Sequence, residues 1–111
     1  MKDNMRDDIR EDVFNILRIL YSNDSPTQRD LSNHLNMSLG KINYLLQVVA
    51  KRGFVSIKHF AERGQQAKKL KYLLTKKGLE AKLRYTYYYL QRKEDEYLKL
   101  KKEADEIAVS G

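Results

Sequence analysis

Apolar residues recur at intervals of three and four along the first half of the chain, a spacing that indicates amphipathic helices. The first helix is predicted over residues 8–21 and is followed by a turn sequence, SNDSP, at residues 22–26. The apolar stripe of this helix consists of Ile9, Val13, Ile16, Leu17 and Leu20. This stripe is expected to be buried against the rest of the domain.

Two further helices are predicted with only a short turn between them. The second covers residues 28–35 and begins where Thr27 and Asp30 match the capping-box pattern, which satisfies the free amides of a helix start. Ser38 is the predicted cap of the third helix, and Gly53 is its predicted left-handed C-cap. The inward positions of the third helix are Ile42, Leu45, Leu46 and Val49.

The pattern then changes to period two, which is typical of strands. Residues 54–60 and 69–75 are predicted to form a hairpin, and the AERGQQ sequence between them contains the glycine that such a loop needs. Thr75 is the predicted cap of a last helix over residues 76–107, in which Gly78 is expected to be a tolerated weak position. At ~1.5 Å per residue this helix is roughly 48 Å long, longer than a compact domain of this size is wide. Part of it is therefore expected to project and find a partner.

The last helix carries a 4-3 repeat typical of a coiled-coil seam. The repeat comprises Leu79, Leu83, Thr86, Leu90, Lys93, Tyr97, Leu100, Ala104 and Ile107. It is imperfect, because Thr86 and Lys93 occupy d-type positions and the YTYYYL cluster at residues 85–90 surrounds the helix. We expect dimerisation through the apolar members of the seam; the alternative is a solitary charged helix folded back on its own domain. Antiparallel pairing is favoured, because residues 76–92 have a net charge of +4 and residues 93–107 a net charge of −2.

Charge is distributed unevenly along the 111-residue chain, whose net charge is +7. Residues 51–92 contain twelve Lys/Arg against two Glu, a net charge of +10, whereas residues 1–50 have a net charge of −1 and residues 93–111 a net charge of −2. A strongly basic segment of this kind is the pattern expected of a protein that binds a polyanion. A solvated basic face is the alternative interpretation.

Catalytic and metal sites find little support in the sequence. The chain has no cysteine, so disulfides and thiolate metal sites are unavailable. His34 and His59 fall on different elements, no serine lies in a nucleophile-elbow pattern, and no Gly-rich phosphate loop occurs. The charged N-terminus lacks an apolar signal region, and no 18-residue apolar run follows. We therefore expect one cytoplasmic domain that is not an enzyme, uses no cofactor or metal and does not associate with a membrane.

The order helix, helix, tight turn, helix, hairpin, helix is that of a winged helix-turn-helix. Residues 35–55, LNMSLGKINYLLQVVAKRGFV, resemble the recognition region of MarR-type regulators, and LTKKGLE at residues 74–80 resembles the segment that follows the wing in that family. The length and the tyrosine-rich last helix are most similar to small MarR-like regulators associated with exopolysaccharide gene clusters. The resemblance implies a mainly α fold with a small β-wing, with residues 1–75 as the DNA-binding domain and residues 76–111 as a coiled-coil-like dimerisation helix. The dimerisation residues are then Leu79, Leu83, Leu90, Tyr97, Leu100, Ala104 and Ile107.

The chain departs from the family in two respects. Typical members have an additional N-terminal helix and a longer helical C-terminus, which together form the dimer and enclose a pocket for small phenolic effectors. Here only one helix follows the wing, so neither the dimer geometry nor the effector pocket is carried over, and the effector stays unknown. The family's wing usually presents an Asp and an Arg at its tip, where this chain has Glu62, Arg63 and Gly64. Only Arg63 is therefore carried over.

In a winged helix-turn-helix the third helix enters the major groove while the second lies against the backbone. Asn43 suits an adenine edge, Tyr44 a thymine methyl or a phosphate, and Lys41 and Gln47 base edges or phosphates, while Arg63 suits a narrow minor groove. The full predicted DNA-binding set is Thr27, Gln28, Ser38, Lys41, Asn43, Tyr44, Gln47, Lys51, Arg52, Arg63, Lys68, Lys69 and Lys71. An ordinary polar surface is the alternative for this set.

Two functions from different classes follow. The first is a homodimeric transcription regulator that binds a pseudo-palindromic site in double-stranded DNA. The second is a winged-helix module that binds a protein or RNA partner and not specific DNA. The polar set on the third helix favours the first, because a protein-binding face usually carries larger apolar anchors. The tyrosine cluster keeps the second open.

Overall fold

The computed structural model describes residues 5–23, 26–60 and 69–110, and their order of elements is that of a winged helix-turn-helix. The elements are α1 (Asp7–Ser22), α2 (Gln28–Leu35), α3 (Leu39–Lys51), β1 (Val55–Phe60), β2 (Lys69–Leu74) and α4 (Lys76–Ser110). The predicted fold class, mainly α with a two-stranded wing and a long last helix, is confirmed. The predicted element ends agree with the observed ones to within one residue, except that α4 continues three residues further.

Local capping fixes the tight α2–α3 unit. The backbone amide of Asp30 donates to Thr27 Oγ1 (3.1 Å) and the Thr27 amide donates to Asp30 Oδ2 (2.8 Å), so the predicted capping box is present. Asn36 ends α2 in the left-handed conformation with φ 54°, which asparagine tolerates better than most residues. Ser38 Oγ then accepts a hydrogen bond from the Lys41 amide and caps α3.

One hydrophobic core lies between α1, α2 and α3 and is closed by the base of the hairpin and the first turns of α4. The largest fully buried side chains are Val13, Ile16, Leu17, Leu31, Ile42, Leu45 and Val49. The hairpin contributes Val55 and Tyr72, and α4 contributes Ala81 and Tyr85. The start of α4 is therefore part of the same core as the helix-turn-helix.

The hairpin is antiparallel, with Val55 opposite Leu74 and Lys58 opposite Lys71. Its base is joined to the segment before α2, because the Tyr72 amide donates to the buried Pro26 carbonyl (3.1 Å). The predicted loop at residues 61–66 lies outside the described residues.

Gly78 is not the tolerated weak position that the sequence predicted. A Cβ at Gly78 would lie 2.1 Å from the carbonyl oxygen of Phe54 and 2.8 Å from Leu74 Cδ1. The helix backbone passes so close to Phe54, in the segment between α3 and β1, that no side chain fits between them. The prediction was wrong because it considered helix propensity alone, whereas a tertiary contact decides this position.

Helix α4 extends well beyond the core. At ~1.5 Å per residue its 35 residues span roughly 52 Å, and the molecule measures 71 × 31 × 22 Å. Every residue from Leu90 to Ser110 is exposed. The helix therefore has a packed first half and a projecting second half, as its predicted length suggested.

The tyrosine cluster of α4 packs largely against α1. Tyr85 is buried in the core, and Tyr89 stacks on Phe14 with ring centroids 4.9 Å apart. The Arg10 guanidinium lies 5.0 Å from the centroid of the Tyr88 ring. Tyr87 is the exposed member. Three of the four neighbouring tyrosines thus have partners in their own domain.

Candidate nucleic-acid interface

The outer face of α3 is a stripe of exposed, mostly uncharged polar side chains. Burial of Ile42, Leu45, Leu46 and Val49 fixes which side of the helix faces the core. Asn43, Tyr44 and Gln47 lie on the opposite side, with Lys51 one turn further on, and Tyr44 is 52% exposed. A Cβ at Gly40, in the first turn, would meet nothing within 4 Å. The face is open along its whole length.

Lys41, predicted to share this surface, is instead paired with a residue of α1. Its ammonium Nζ lies 3.1 Å from Asp12 Oδ2, and the Asp12 side chain is only 21% exposed. The pair joins the first turn of α3 to the middle of α1. Asp12 was not predicted, because no local signal links residues 29 positions apart.

Three predicted DNA-binding side chains hold the helix-turn-helix together in this structure. Thr27 and Ser38 use their hydroxyl oxygens to cap α2 and α3. Gln28 Nε2 donates to the carbonyl oxygen of Leu39 (2.9 Å), and so links the start of α2 to the start of α3. Ser32 Oγ donates to the Met37 carbonyl (2.5 Å) within the turn. These bonds set the angle at which α3 is presented.

The wing places two lysines directly opposite each other. Lys58 of β1 pairs with Lys71 of β2, and side chains directly opposite in antiparallel strands share a face. Lys58 is exposed and Lys71 half-buried. The pair places two basic residues on one face of the wing. Lys58 was absent from the predicted set, although the alternation of the strand sequence and the strand register together would have identified it.

The structure describes only some of the remaining residues that were predicted to contact DNA. Lys51 is exposed in the last turn of α3, and Arg52 is half-buried just after it. Arg63 and Lys68 lie outside the described residues, and Lys69 is described only as a strand position opposite Phe60. The described part of the interface is therefore α3 and the base of the wing.

The predicted dimerisation residues lie on a different face of α4 from its core contacts. Leu79, Leu83, Leu90, Tyr97, Leu100, Ala104 and Ile107 are all exposed. At ~3.6 residues per turn, this seam lies about a third of a turn from the buried Tyr85. Near the start of α4 it borders an open groove of about 420 Å³ lined by Tyr21, Leu79, Lys82, Leu83 and Thr86, with Glu80 at its edge. The Lys82 ammonium lies 4.4 Å from the centroid of the Tyr21 ring.

Two tyrosines of the domain have shifted acidities. Burial raises the pKa of Tyr72. Burial also raises the pKa of Tyr89, with a further contribution from the negative charge of Glu11. Both phenols therefore stay protonated to higher pH than an exposed tyrosine.

No group of three or more His, Asp or Glu side chains able to hold a metal ion occurs within residues 5–23, 26–60 and 69–110. None of the described helices is long and apolar enough to cross a bilayer.

Comparison with known proteins agrees with this architecture. Residues 13–56 match a family model described as winged helix-turn-helix DNA-binding. A search of curated protein sequences gave no significant match. The chain thus contains a recognisable winged helix-turn-helix segment.

Solved structures share the fold at low sequence identity. The chain is similar to the MarR family transcription regulator SP03579 (TM-score 0.62, 21% identity, 73% of this chain and 52% of that one) and to MepR of S. aureus in complex with DNA (0.62, 14%, 83% and 62%). It is also similar to a PadR family transcription regulator from Clostridium difficile R20291 (0.64, 12%, 78% and 97%). The chain thus spans between half and two thirds of the length of the SP03579 and MepR structures. The winged helix-turn-helix fold is shown by these similarities.

Proposed function

We propose that this protein is a sequence-specific DNA-binding transcription regulator of the cytoplasm. In this proposal α3 lies in the major groove, and the wing contacts the phosphate backbone or the minor groove. The observation that carries the proposal is the outer face of α3, where Asn43, Tyr44 and Gln47 form an open hydrogen-bonding stripe on a helix whose other side is buried.

The chemistry of this stripe suits base edges better than phosphates. Asn and Gln each offer a donor and an acceptor, the pattern that adenine presents in the major groove. Tyr44 adds a ring for a thymine methyl and a hydroxyl for a phosphate. Positive charge lies at the end of the stripe, at Lys51, and beside it, in the Lys58–Lys71 pair. This division separates groups that specify a sequence from groups that bind any phosphate.

The alternative function, a protein- or RNA-binding module, rested on the tyrosine cluster. Because Tyr85 is buried and Tyr89 stacks on Phe14, most of that cluster is occupied within the domain. Tyr44 is a single exposed aromatic set between the polar Asn43 and Gln47, whereas the anchors of protein interfaces usually cluster. The contacts of the chain therefore support DNA as the partner.

Selection of duplexes from a random pool tests this function directly. The purified protein is expected to enrich one motif and to bind it with strong salt dependence. For ~6 phosphate contacts, raising the salt from 50 to 200 mM should weaken binding by around a thousandfold. No enrichment, together with a flat salt response, would refute the proposal.

We also propose that the regulator is a homodimer that pairs through the exposed seam of α4 in the antiparallel direction. The seam has no cover within the described chain, and antiparallel pairing places the basic residues 76–92 of one copy along the acidic residues 93–107 of the other. The groove beside Tyr21 then receives the projecting half of the second copy. A two-fold dimer presents two α3 helices to a pseudo-palindromic site with half-sites roughly 34 Å apart.

Light scattering tests the seam with a matched pair of variants. Leu90→Asp places a charge on the seam and is expected to yield monomers, whereas Leu98→Asp alters a residue of similar exposure (53% against 57%) on another face and is expected to stay dimeric. Since the chain has no cysteine, cysteines placed at Leu79 and Ala104 also report on direction. A disulfide between these two positions of different copies supports antiparallel pairing. A monomeric parent, or equal behaviour of both variants, contradicts the seam.

The regulated genes are proposed from resemblance alone. The length and tyrosine-rich helix resemble regulators associated with exopolysaccharide clusters, so we propose that such genes are the targets. Genomic footprinting in the native host tests this, with enrichment expected at the promoters of one or a few polysaccharide operons. Binding confined to other promoters would exclude it.

A further inference from the structure

We propose that Asp12 is a specificity-determining residue that acts through Lys41, and this inference rests on the proposed DNA-binding function. Asp12 lies on α1, beside the buried Val13, and makes no part of the outer face of α3. Its carboxylate nevertheless lies 3.1 Å from the ammonium of Lys41 in the first turn of α3. Contacts with bases were predicted for Lys41, Asn43, Tyr44 and Gln47, and Lys41 is the only charged residue of these four. Asp12 therefore controls the one charged side chain in that set.

The pair compensates an unfavourable local charge. The N-terminus of a helix carries a partial positive charge, which favours acidic residues there and disfavours lysine. The first turn of α3 contains no acidic residue and does contain Lys41. Asp12 supplies from α1 the negative charge that this turn lacks. The Asp12 side chain is 21% exposed and the Lys41 side chain 52%, so the lysine is the more accessible member of the pair.

This arrangement affects how DNA is bound. A lysine at the start of a recognition helix is available to any phosphate, whatever the sequence. While Lys41 is paired with Asp12, a DNA phosphate must displace the Asp12 carboxylate before it can contact the lysine ammonium. The net positive charge available to the DNA backbone is therefore lower by one. Non-specific binding depends almost wholly on such charges, whereas specific binding also uses Asn43, Tyr44 and Gln47. Asp12 is thus expected to weaken non-specific binding more than specific binding.

The Asp12→Asn variant tests the proposal, because it removes the charge and keeps the side-chain shape. Two probes are used: the duplex that the parent protein selects from a random pool, and a random duplex of equal length. The variant is expected to bind both more tightly and to prefer the selected duplex less. One added phosphate contact steepens the slope of log affinity against log salt by ~0.9, so between 50 and 200 mM the gain over the parent should shrink about 3.5-fold.

Lys41→Met provides the second arm and completes a double-mutant cycle. In the parent background it is expected to change the salt slope little, because the lysine is already neutralised by Asp12. In the Asp12→Asn background it is expected to return the slope to the parent value. Thermal melting of each variant checks that the domain remains folded.

The outcomes separate this inference from the function on which it rests. If the parent binds its selected duplex and Asp12→Asn leaves both the salt slope and the preference unchanged, Asp12 has only a structural role and the inference is wrong. If Lys41→Met lowers the slope in the parent background by the same ~0.9, the lysine already contacts phosphate and the inference is also wrong. If the parent selects no duplex, the proposed function fails first and this inference with it.

Discussion

Gly78 offers the sharpest test of how α4 is attached to the helix-turn-helix. The Phe54 carbonyl, 2.1 Å from the position of a Cβ at Gly78, also accepts a hydrogen bond from the Thr75 amide (3.0 Å). Thr75 Oγ1 in turn accepts from the Gly78 amide (3.0 Å) and donates to the Gly53 carbonyl (2.6 Å). The Phe54 carbonyl is therefore held on several sides, and the new methyl group of Gly78→Ala must displace backbone.

The expected size of the effect follows from opposing contributions. In an ordinary helix interior, Gly→Ala stabilises by roughly 1 kcal/mol. Here overpacking costs about 1 to 3 kcal/mol. Loss of the Thr75–Phe54 hydrogen bond costs about 1 kcal/mol more. The sum predicts that Gly78→Ala lowers the free energy of unfolding by about 1 to 3 kcal/mol. Helix propensity alone would predict the opposite, a more stable protein.

Urea denaturation followed by circular dichroism measures this change at one fixed protein concentration, because a dimer's stability depends on concentration. In a parallel thermal melt, each kcal/mol of lost stability lowers the Tm of a small domain by roughly 4 to 8 °C. Gly40→Ala is the matched control, since Gly40 is also helical and its added methyl meets nothing within 4 Å. That variant is expected to be more stable than the parent by about 0.5 to 1 kcal/mol. Equal behaviour of Gly78→Ala and Gly40→Ala would refute the close approach of α4 to Phe54.

The remaining predictions concern recognition and pH. Asn43→Ala is expected to relax preference at particular base pairs, at a cost of roughly 1 to 3 kcal/mol on the selected duplex, as measured by competition between duplexes. Lys58→Ala is expected to lower the affinity for all DNA sequences alike. Lys99→Ala, on the projecting half of α4, is expected to change neither the affinity nor the sequence preference. If Asn43→Ala kept the full preference for the selected duplex, α3 would be excluded as the element that reads the bases. Because burial raises the pKa of Tyr72 and Tyr89, the unfolded state loses these protons first, so the free energy of unfolding is expected to fall as pH rises above ~10. Replacing both tyrosines by Phe should reduce that fall in alkaline denaturation, and an unchanged fall would contradict the assigned cause.

The parts of the fold that the sequence predicted correctly are those governed by neighbouring residues. Thr27 and Asp30 close a capping box within four positions, and Ser38 caps α3 through the amide of Lys41, so helix starts are visible in the sequence. The spacing of Ile42, Leu45, Leu46 and Val49 likewise identified the buried side of α3. The exposed stripe opposite followed directly from that spacing.

The parts that could not be predicted depend on contacts between distant residues. Gly78 looked like a weak helix position because nothing in its own turn reveals the Phe54 carbonyl. Asp12 was not singled out from the sequence, although it forms an ion pair with Lys41. Lys58 could be recognised only with the strand register, which places it opposite Lys71. In each case the missing information was the packing of one element on another.

Helix α4 combines a 4-3 repeat that is visible in the sequence with a tertiary contact that is not. Through Gly78, its first turn contacts Phe54, which lies between α3 and β1, and its seam faces away from that contact by about a third of a turn. Because the contact is backbone against backbone, α4 has little freedom to rotate without moving the segment that joins α3 to β1. If two copies pair along the seam, their α3 helices are then held at a fixed separation by the helix that pairs them. Under the proposed function, the spacing of the half-sites would then be set at the seam of α4, and the bases within each half-site would be read by α3.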